Sequence, residues 1–305
     1  MHLTLQQLRL FESVARHRSF TRAAEELFLT QPAISIQIKR LEENVGHPLF
    51  EQVGKKLYLT AAGEEMYLAS CDVLDRLEEL EGALDERHGR IRGPLRISVV
   101  TTAKYFMPHL LGVFLREHPE VEPRLIVTNR AKVLERLKEN RDDLVIMGQV
   151  PEGLELNATR FLSNVLVVVA HSAHPLVKEK RVSLQRLAEE RFLIREEGSG
   201  TRIAVDRLFA EQGLHITPYM ELGSGEAIKQ GVMAGIGISV LSQLSLRLEL
   251  AAGLLTVLDV EGFPLSRPWH SVYPRGKRLS STAQAFLEFL SLRGAEVLEG
   301  LQTSR

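Results

Sequence analysis

Apolar positions in the first 60 residues fall at helical spacing in three short runs. Leu5, Leu8, Phe11, Val14 and Ala15 recur every three or four residues, so Leu5–His17 is predicted to be an amphipathic helix that Thr4 can cap. Ser19 or Thr21 can cap a second helix carrying Ala23, Ala24, Leu27 and Phe28. Thr30 caps a third, whose buried face is Ile34, Ile38 and Leu41. Pro32 fits its first turn because an N–H there has no intrahelical acceptor. Phe28-Leu29-Thr30 alone connects helices two and three, a spacing that makes the pair a helix-turn-helix candidate. Two short β-like runs then flank Val53-Gly54-Lys55-Lys56, a predicted hairpin with a basic tip.

The pattern changes at Ala61. From there to His88 the chain has no proline, and glycine only at Gly63 and Gly82. Tyr67, Ser70, Leu74, Leu77, Glu81 and Leu84 follow a 3–4 spacing, widened by Met66, Val73 and Leu80. This predicts a helical rod of about 42 Å. A long helix with one apolar seam usually packs on a partner helix. A core helix of one domain fits less well, because both neighbouring segments carry their own apolar pattern. Cys71 on this helix reads as a small packing residue.

His88-Gly89-Arg90-Ile91-Arg92-Gly93-Pro94 is a hinge of glycine, charge and proline. Beyond it strands and helices alternate, which predicts α/β subdomains. Strands are expected at 95–100, 122–128, 143–147, 165–170, 191–194, 219–222, 236–241, 256–259 and 270–273. Helices are expected at 105–117, 131–140, 184–189, 201–212, 226–234 and 282–292.

Composition narrows the classes. A chain of 305 residues is long enough for about two domains. At 44% hydrophobic and 25% charged it has an ordinary soluble composition. One cysteine, Cys71, excludes an intramolecular disulfide and a cysteine metal cluster. No apolar run approaches the ~18 residues of a transmembrane helix. The start, Met1 to Gln7, lacks a charged region followed by an apolar one, so no signal peptide is visible and the cytoplasm is the expected location.

A net charge of −1 argues against a nucleic-acid partner. Divided by region, residues 1–60 carry +2, residues 61–89 carry −7 and residues 90–305 carry +4. The acidic rod masks a mildly basic start. On the third helix Gln31, Ser35 and Lys39 recur every four residues, with Gln37 on the adjoining polar surface. Glutamine can bond an adenine edge with two hydrogen bonds, and serine can serve any base. Lys39, Arg40, Lys55 and Lys56 could reach phosphates. The alternative is a solvated polar face on a small three-helix core.

Three stretches carry a resemblance. They are Ser19-Phe20-Thr21-Arg22-Ala23-Ala24-Glu25-Glu26-Leu27; Thr30-Gln31-Pro32-Ala33-Ile34-Ser35-x-Gln37-Ile38-x-x-Leu41-Glu42; and Gly46-x-Pro48-Leu49-Phe50-Glu51 with Leu59-Thr60-x-Ala62-Gly63. Together they resemble the N-terminal module of LysR-type transcriptional regulators. The resemblance implies an α+β multidomain chain. A winged helix-turn-helix would occupy 1–60, with Thr21, Arg22, Thr30, Gln31, Pro32, Ser35, Gln37, Lys39, Arg40, Lys55 and Lys56 facing double-stranded promoter DNA. A linker helix at 61–89 would dimerise antiparallel. An effector-binding domain at 90–305 would have two α/β lobes, like a periplasmic binding protein. Lobe 1 would span 90–162 and 269–305, and lobe 2 163–268, with crossings near Leu162–Asn164 and Phe263–Pro268. Family members often carry arginine where this chain has Ile36 and Gln52, which weakens the expected phosphate contacts there. The family also implies a homodimer or homotetramer and a possible RNA polymerase contact.

Ligands of such α/β folds bind where strands end and helices begin, because free N–H groups there attract anions. Val99-Val100-Thr101-Thr102-Ala103-Lys104, Thr128-Asn129-Arg130, Arg195-Glu196-Glu197-Gly198-Ser199-Gly200-Thr201-Arg202 and Leu222-Gly223-Ser224-Gly225-Glu226 fit that position. The expected effector contacts are Thr101, Thr102, Lys104, Asn129, Arg130, Gly148, Gly200, Thr201 and Arg202. Lys104, Arg130 and Arg202 together would suit a phosphorylated or carboxylated metabolite. Ordinary helix capping is the alternative for each loop. The runs Asp142–Pro151 and Val99–Met107 resemble regulators of carbon-dioxide-fixation (RuBisCO) operons, which implies effectors such as sugar phosphates, phosphoenolpyruvate or a nicotinamide nucleotide. A LysR-type regulator of another metabolic operon is the alternative.

Enzyme chemistry is not called for. His171-Ser172-Ala173-His174 has no nearby carboxylate or cysteine to complete a metal site. Gly231-x-x-x-Gly235-x-Gly237 follows a helix and precedes a strand, the reverse of a dinucleotide fingerprint, and is expected to allow tight turning and close packing. There is no Gly-x-Ser-x-Gly elbow or phosphate-binding loop, and Ser199 has no evident base. No cofactor, metal or membrane partner is expected. A solute-binding protein with an added helical start, or an enzyme using the same cleft, are the competing classes. The missing export signal disfavours the first, and turnover of a bound metabolite would reveal the second.

Overall fold

Thr4 starts the first helix of the computed structural model, which describes residues 3–54, 56–86 and 90–303. Its hydroxyl accepts the Gln7 N–H at 3.2 Å while the Gln7 side chain accepts the Thr4 N–H at 3.1 Å, a reciprocal cap for α1 (Leu5–His17). Ser19 caps α2 (Phe20–Glu26), which places Thr21 inside the helix. Thr30 caps α3 (Gln31–Val45), and Gly46 ends it at φ 81°. α2 is shorter than its apolar pattern implies. Phe28 leaves the helix at φ 54° and stands 95% exposed in the turn.

A hairpin follows, β1 (Phe50–Val53) against β2 (Lys56–Leu59), paired from Phe50↔Leu59 to Val53↔Lys56. Lys55, expected at the hairpin's basic tip, lies outside the described residues. Then comes α4 (Ala61–Glu86). Its start is locked by Thr60, whose hydroxyl donates to the Pro48 carbonyl at 2.7 Å and accepts the Gly63 N–H at 3.0 Å. A Cβ on Gly63 would lie 2.0 Å from the Leu49 carbonyl oxygen, so only glycine fits there. Phe11, Val14, Ala23, Ile34, Leu41, Leu49 and Tyr67 form the core of this first unit, Met1–His88.

One polar cluster ties α1 to α2. Glu26 accepts hydrogen bonds from Ser13 at 2.8 Å, from Arg16 at 2.7 and 2.8 Å, and meets His17 at 2.8 Å. Burial alone would raise the Glu26 carboxyl. The bonds from Ser13, Arg16 and His17 and the charge of Arg16 outweigh it and bring the carboxyl from 4.5 down to about 2. A depressed folded-state value stabilises the fold above the unfolded value and loses that contribution as pH falls from about 4.5 toward 2. Glu26→Gln is therefore expected to cost about 1–2 kcal/mol at neutral pH, after allowance for partial exposure. Urea denaturation across pH 7 to pH 2 should show the full loss at pH 7, a smaller one at pH 3 and little difference at pH 2 and below.

The second unit, Gly89–Arg305, is α/β. In chain order it contains β3 (Gly93–Val100), α5 (Met107–Glu117), β4 (Val121–Thr128), α6 (Arg130–Lys138), β5 (Leu144–Met147) and β6 (Leu156–His171). These are followed by α7 (Leu184–Ala188), β7 (Phe192–Arg195), α8 (Gly200–Glu211), β8 (Pro218–Leu222), α9 (Gly225–Met233) and β9 (Ser239–Ser242). α10 (Arg247–Ala251), β10 (Leu255–Val257), β11 (Leu265–Pro274) and α11 (Ser281–Thr303) close the unit. β4, β3 and β5 run parallel, and β11 lies antiparallel to β5. β6 and β11 pair from Leu166↔Leu265 to Leu156↔Pro274, and β6 also pairs with β9 and β10. Separate cores form around Phe106, Phe114, Trp269 and Phe286 on one side and around Leu166, Phe192, Phe209 and Val240 on the other. The β6–β11 ribbon runs between them.

That ribbon is longer than the apolar pattern predicts. Asn157, Thr159, Ser163 and Asn164 interrupt the apolar run of β6, and Pro268 interrupts β11, so sequence spacing marks only their ends. Thr101–Tyr105 is a 3-10 turn, and α5 starts at Met107 with Pro108 in its first turn. β9 begins at Ser239 rather than Ile236. Gly235 turns the chain at φ 71°, and a Cβ on Gly237 would sit 2.1 Å from the Arg191 carbonyl oxygen. A Cβ on Gly231 would sit 2.8 Å from Leu193, so two of these glycines serve close packing and one a turn.

Candidate nucleic-acid interface and anion cleft

In the first unit, α3 buries Ile34, Ile38 and Leu41 and turns Gln31, Pro32, Lys39 and Arg40 outward, with Ser35 and Gln37 half-buried. The Gln31 side-chain amide donates to Ser35 Oγ at 2.9 Å. This bond fixes one amide proton and leaves the Gln31 oxygen open, which orients the pair for a base edge. Thr21 and Arg22 are exposed on α2, and Lys56 is exposed at the start of β2. Thr30 spends its hydroxyl on the Ala33 N–H at 3.4 Å. Ile36 adds an apolar patch to this face at 55% exposure. Gln52 points its amide at the Gly54 carbonyl at 3.1 Å, so neither of these two positions brings a cation.

In the second unit a cleft opens where several strands end, about 430 Å³ when its open, solvent-filled mouth is included. Thr101 and Thr102 enter it from the end of β3, Arg130 from the start of α6, and Gly148 and Gln149 from the end of β5. Asn164, Arg267 and Trp269 come from the β6–β11 ribbon. Arg195 and Glu196 close β7, and Ser199, Gly200 and Thr201 begin α8. Ser199 makes no side-chain cap bond, as is also true at the starts of α5, α9 and α10, whereas Thr4, Ser19, Thr30, Asn129 and Ser183 cap their helices. The α8 N–H groups are thus left for something else, and a helix N-terminus favours an anion.

The charges agree. Burial lowers the pKa of both Arg130 and Arg267, which means each cation is held at a desolvation cost. Neither meets a carboxylate among the described residues, and the Nε of each has no partner. Arg267 donates once, to the Gly200 carbonyl at 2.8 Å. Both are half-buried, and a partly desolvated cation without a counter-charge is held at a cost that an anionic ligand would offset. Asn164 is held by Ser242, which donates to its Oδ1 at 2.7 Å and so leaves its amide protons for the cleft. Gly148 keeps space open, since a Cβ there would stand 3.8 Å from Asn164 and 3.9 Å from the Trp269 ring.

The structure gathers Thr101, Thr102, Arg130, Gly148, Gly200 and Thr201 in this cleft and leaves three expected residues out. Asn129 uses its side chain to cap α6, accepting the Lys132 N–H at 3.0 Å. Arg202 turns to Asp206 at 2.6 and 2.8 Å and to the Arg195 carbonyl at 3.3 Å. Lys104 lines an adjoining recess with Tyr105 and Gly225, its ammonium 5.0 Å from the Tyr105 ring. Arg195, Arg267, Gln149, Asn164 and Trp269 line the cleft as well and are not among the expected contacts, although Arg195 opens one of the loops that fit that position. Arg267 lies in the segment expected to cross between lobes, and such a segment must pass beside the cleft; that signal was available.

A second cluster links the Thr101–Tyr105 turn to α9 and α10. Tyr105 donates to Glu226 at 2.8 Å, and Lys229 meets Glu226 at 3.0 Å and Glu249 at 2.6 Å beneath the Tyr105 ring. Burial and the Glu226 bond push the Tyr105 hydroxyl up to about 12. His171 and His174 cap local turns, their Nδ1 atoms accepting from Ala173 at 3.1 Å and Leu176 at 3.3 Å. Among the described residues no group of histidine, cysteine, aspartate and glutamate is placed to hold a metal. No helix among them is long and apolar enough to cross a membrane.

Comparison with known proteins matches both units. Residues 5–64 match "Bacterial regulatory helix-turn-helix protein, lysR family", and residues 88–294 match "LysR substrate binding domain". A RuBisCO operon transcriptional regulator of Acidithiobacillus ferrooxidans is 50% identical over 295 residues, covering 97% of this chain and 96% of that protein. The transcriptional activator CmpR of Synechocystis is 49% identical, covering 94% of each. Among solved structures, the regulatory domain of Synechocystis CcmR in complex with 2-PG is 46% identical. It covers 66% of this chain and 96% of its own, with a TM-score of 0.63. A full-length OxyR variant of Pseudomonas aeruginosa shares the fold at a TM-score of 0.76 and 23% identity, over 97% of each chain.

Proposed function

Because this chain belongs to the LysR family of helix-turn-helix transcriptional regulators, we propose that it controls a carbon-dioxide-fixation operon in response to a phosphorylated metabolite bound in the cleft of its second unit. The observation that carries the ligand class is the pair of desolvated guanidiniums, Arg130 and Arg267, facing an uncapped α8 without a carboxylate of their own. The 2-PG complex of the CcmR regulatory domain supports a phosphorylated effector.

Promoter DNA is read by α3, with Gln31 and Ser35 at base edges and Lys39, Arg40, Lys56 and the hairpin-tip Lys55 at phosphates. Thr21, Arg22, Thr30, Pro32 and Gln37 frame that surface. The chain works as a homo-oligomer in the cytoplasm, where the DNA is. Its first pairing is through α4, whose Tyr67 and Ser70 are buried in the unit's own core while Val73 (42%), Leu80 (57%) and Leu84 (50%) stay exposed. Four chains, built as two such dimers, would present several reading helices along one promoter. The effector acts by binding one arrangement of the oligomer more tightly than another, which shifts the DNA modules and their access to RNA polymerase.

Titration of the full-length protein with 2-PG, read by calorimetry and thermal shift, tests the ligand assignment. Saturable binding with a rise in Tm is expected, because a ligand that binds only the folded state stabilises it. A flat titration contradicts the assignment. For the reader, Gln31→Ala should cost about 1–3 kcal/mol at one base position and relax preference there, as measured by mobility shifts on single-base promoter variants.

A further inference from the structure

Three arginines line the cleft, and among the described lining residues there is a single carboxylate, Glu196. Both of its oxygens sit on Arg195. Oε2 is 2.6 Å from Nε and Oε1 is 2.7 Å from Nη2, a two-bond fork. Arg195 is 6% exposed, and its Nη2 also donates to Thr101 Oγ1 at 3.1 Å, so the guanidinium is fixed in the cleft wall. This is the geometry with which arginine grips a carboxylate or phosphate on a ligand. Here the residue next in sequence fills it.

Glu196 is built to leave. Its carbonyl accepts the Ser199 N–H at 3.1 Å, and Gly198 takes φ 78°, so the turn backbone is held independently of the side chain. The side chain is 24% exposed, with solvent beside it. Side-chain rotation alone can carry the carboxylate from Arg195 to water. An anion seated by Arg130 and Arg267 would share the cleft with this carboxylate, and like charges repel.

We infer that Glu196 is an internal stand-in for the effector, occupying the Arg195 fork in the empty cleft and displaced when the effector's acidic group takes that fork. The inference rests on the reading of the cleft as the effector site. It makes Glu196 a residue that sets ligand charge. A monocarboxylate that displaces it only exchanges one carboxylate for another on Arg195. A phosphate dianion gains more from the three guanidiniums than Glu196 gives up. The cleft therefore selects ligands with two or more negative charges, using an internal competitor as the discriminating element.

Calorimetric titration of full-length wild type and Glu196→Gln with 2-PG tests this. The variant is expected to bind about tenfold tighter, because the charge-assisted competitor is gone. Its preference for inorganic phosphate over acetate, read by displacement of 2-PG, is expected to narrow. Equal or weaker 2-PG binding by the variant overturns the inference. A crystal structure of the wild-type complex gives a second reading that needs no variant to fold. Arg195 bonded to the ligand with Glu196 turned to solvent supports the inference, and an intact Arg195–Glu196 fork beside bound ligand overturns it. If neither protein binds 2-PG or inorganic phosphate, the cleft assignment itself falls. If wild type binds and Arg267→Ala does not, while Glu196→Gln shows no gain, only the role of Glu196 falls.

Discussion

Arg267→Ala is expected to abolish the effector response while leaving promoter affinity unchanged within about twofold. Arg267 brings one of two cationic forks that have no carboxylate, and its only hydrogen bond among the described residues goes to the Gly200 carbonyl. Truncating one partner of a half-buried, charge-assisted contact costs about 1.5–3 kcal/mol, which is about 10- to 150-fold in ligand affinity. The sign of the stability change separates this role from a structural one. Burial lowers the Arg267 pKa, so the unliganded fold carries its charge at a cost. Removing a half-buried charge that has no counter-charge should leave the Tm of the free protein unchanged or raise it. A structural arginine would give the opposite, a lower Tm with the ligand shift preserved. Thermal melts of wild type and variant, with and without saturating 2-PG, read both quantities in one experiment.

Leu80→Asp should convert the oligomer to a species unable to pair through α4. Leu80 is the most exposed large apolar residue of that helix among those described, at 57%, and Val73, Leu77, Leu80 and Leu84 repeat at four, three and four residues. This is the spacing of a two-helix seam. A charge at its centre would be buried on pairing without a partner, which the dimer cannot bear. Sedimentation velocity should show the mass fall by at least half. Promoter affinity should fall by about 10²- to 10³-fold, because two linked reading modules bind with an effective concentration that a lone module lacks. The exposed position makes the folded first unit itself indifferent to the change, so its circular dichroism should be preserved. An unchanged mass would place the pairing surface elsewhere.

The reader was legible from sequence because its signals are local. Thr4, Ser19 and Thr30 each cap a helix three residues ahead, and the Ile34, Ile38 and Leu41 face is visible within eight residues. Phe28 escaped the pattern because a left-handed turn, not an apolar periodicity, sets its position. The cleft was legible only in outline. Its residues run from Val100 to Trp269 and meet through the β6–β11 ribbon, whose polar and proline positions hide it from pattern reading. Arg202 and Arg195 look alike in a loop before a helix. Asp206, four residues after Arg202, was the available sign that Arg202 would pair along its own helix. Likewise Lys132 stands three residues after Asn129, the spacing of a cap.

The overall charge of −1 carries little information about DNA once it is resolved by region. In the proposed assembly a reader of +2 per chain would gain its affinity from several copies, with weak non-specific binding by any single module.

The most direct measurement is a footprint of the full-length protein on the promoter of a carbon-dioxide-fixation operon, titrated with 2-PG and compared with random DNA of equal length at the same salt. The account predicts protection of the promoter and not of the random sequence, with the protected boundary or the bending-induced hypersensitive sites shifting as 2-PG saturates the cleft. Equal protection of both DNAs, or a promoter footprint unchanged at saturating bound 2-PG, would contradict it.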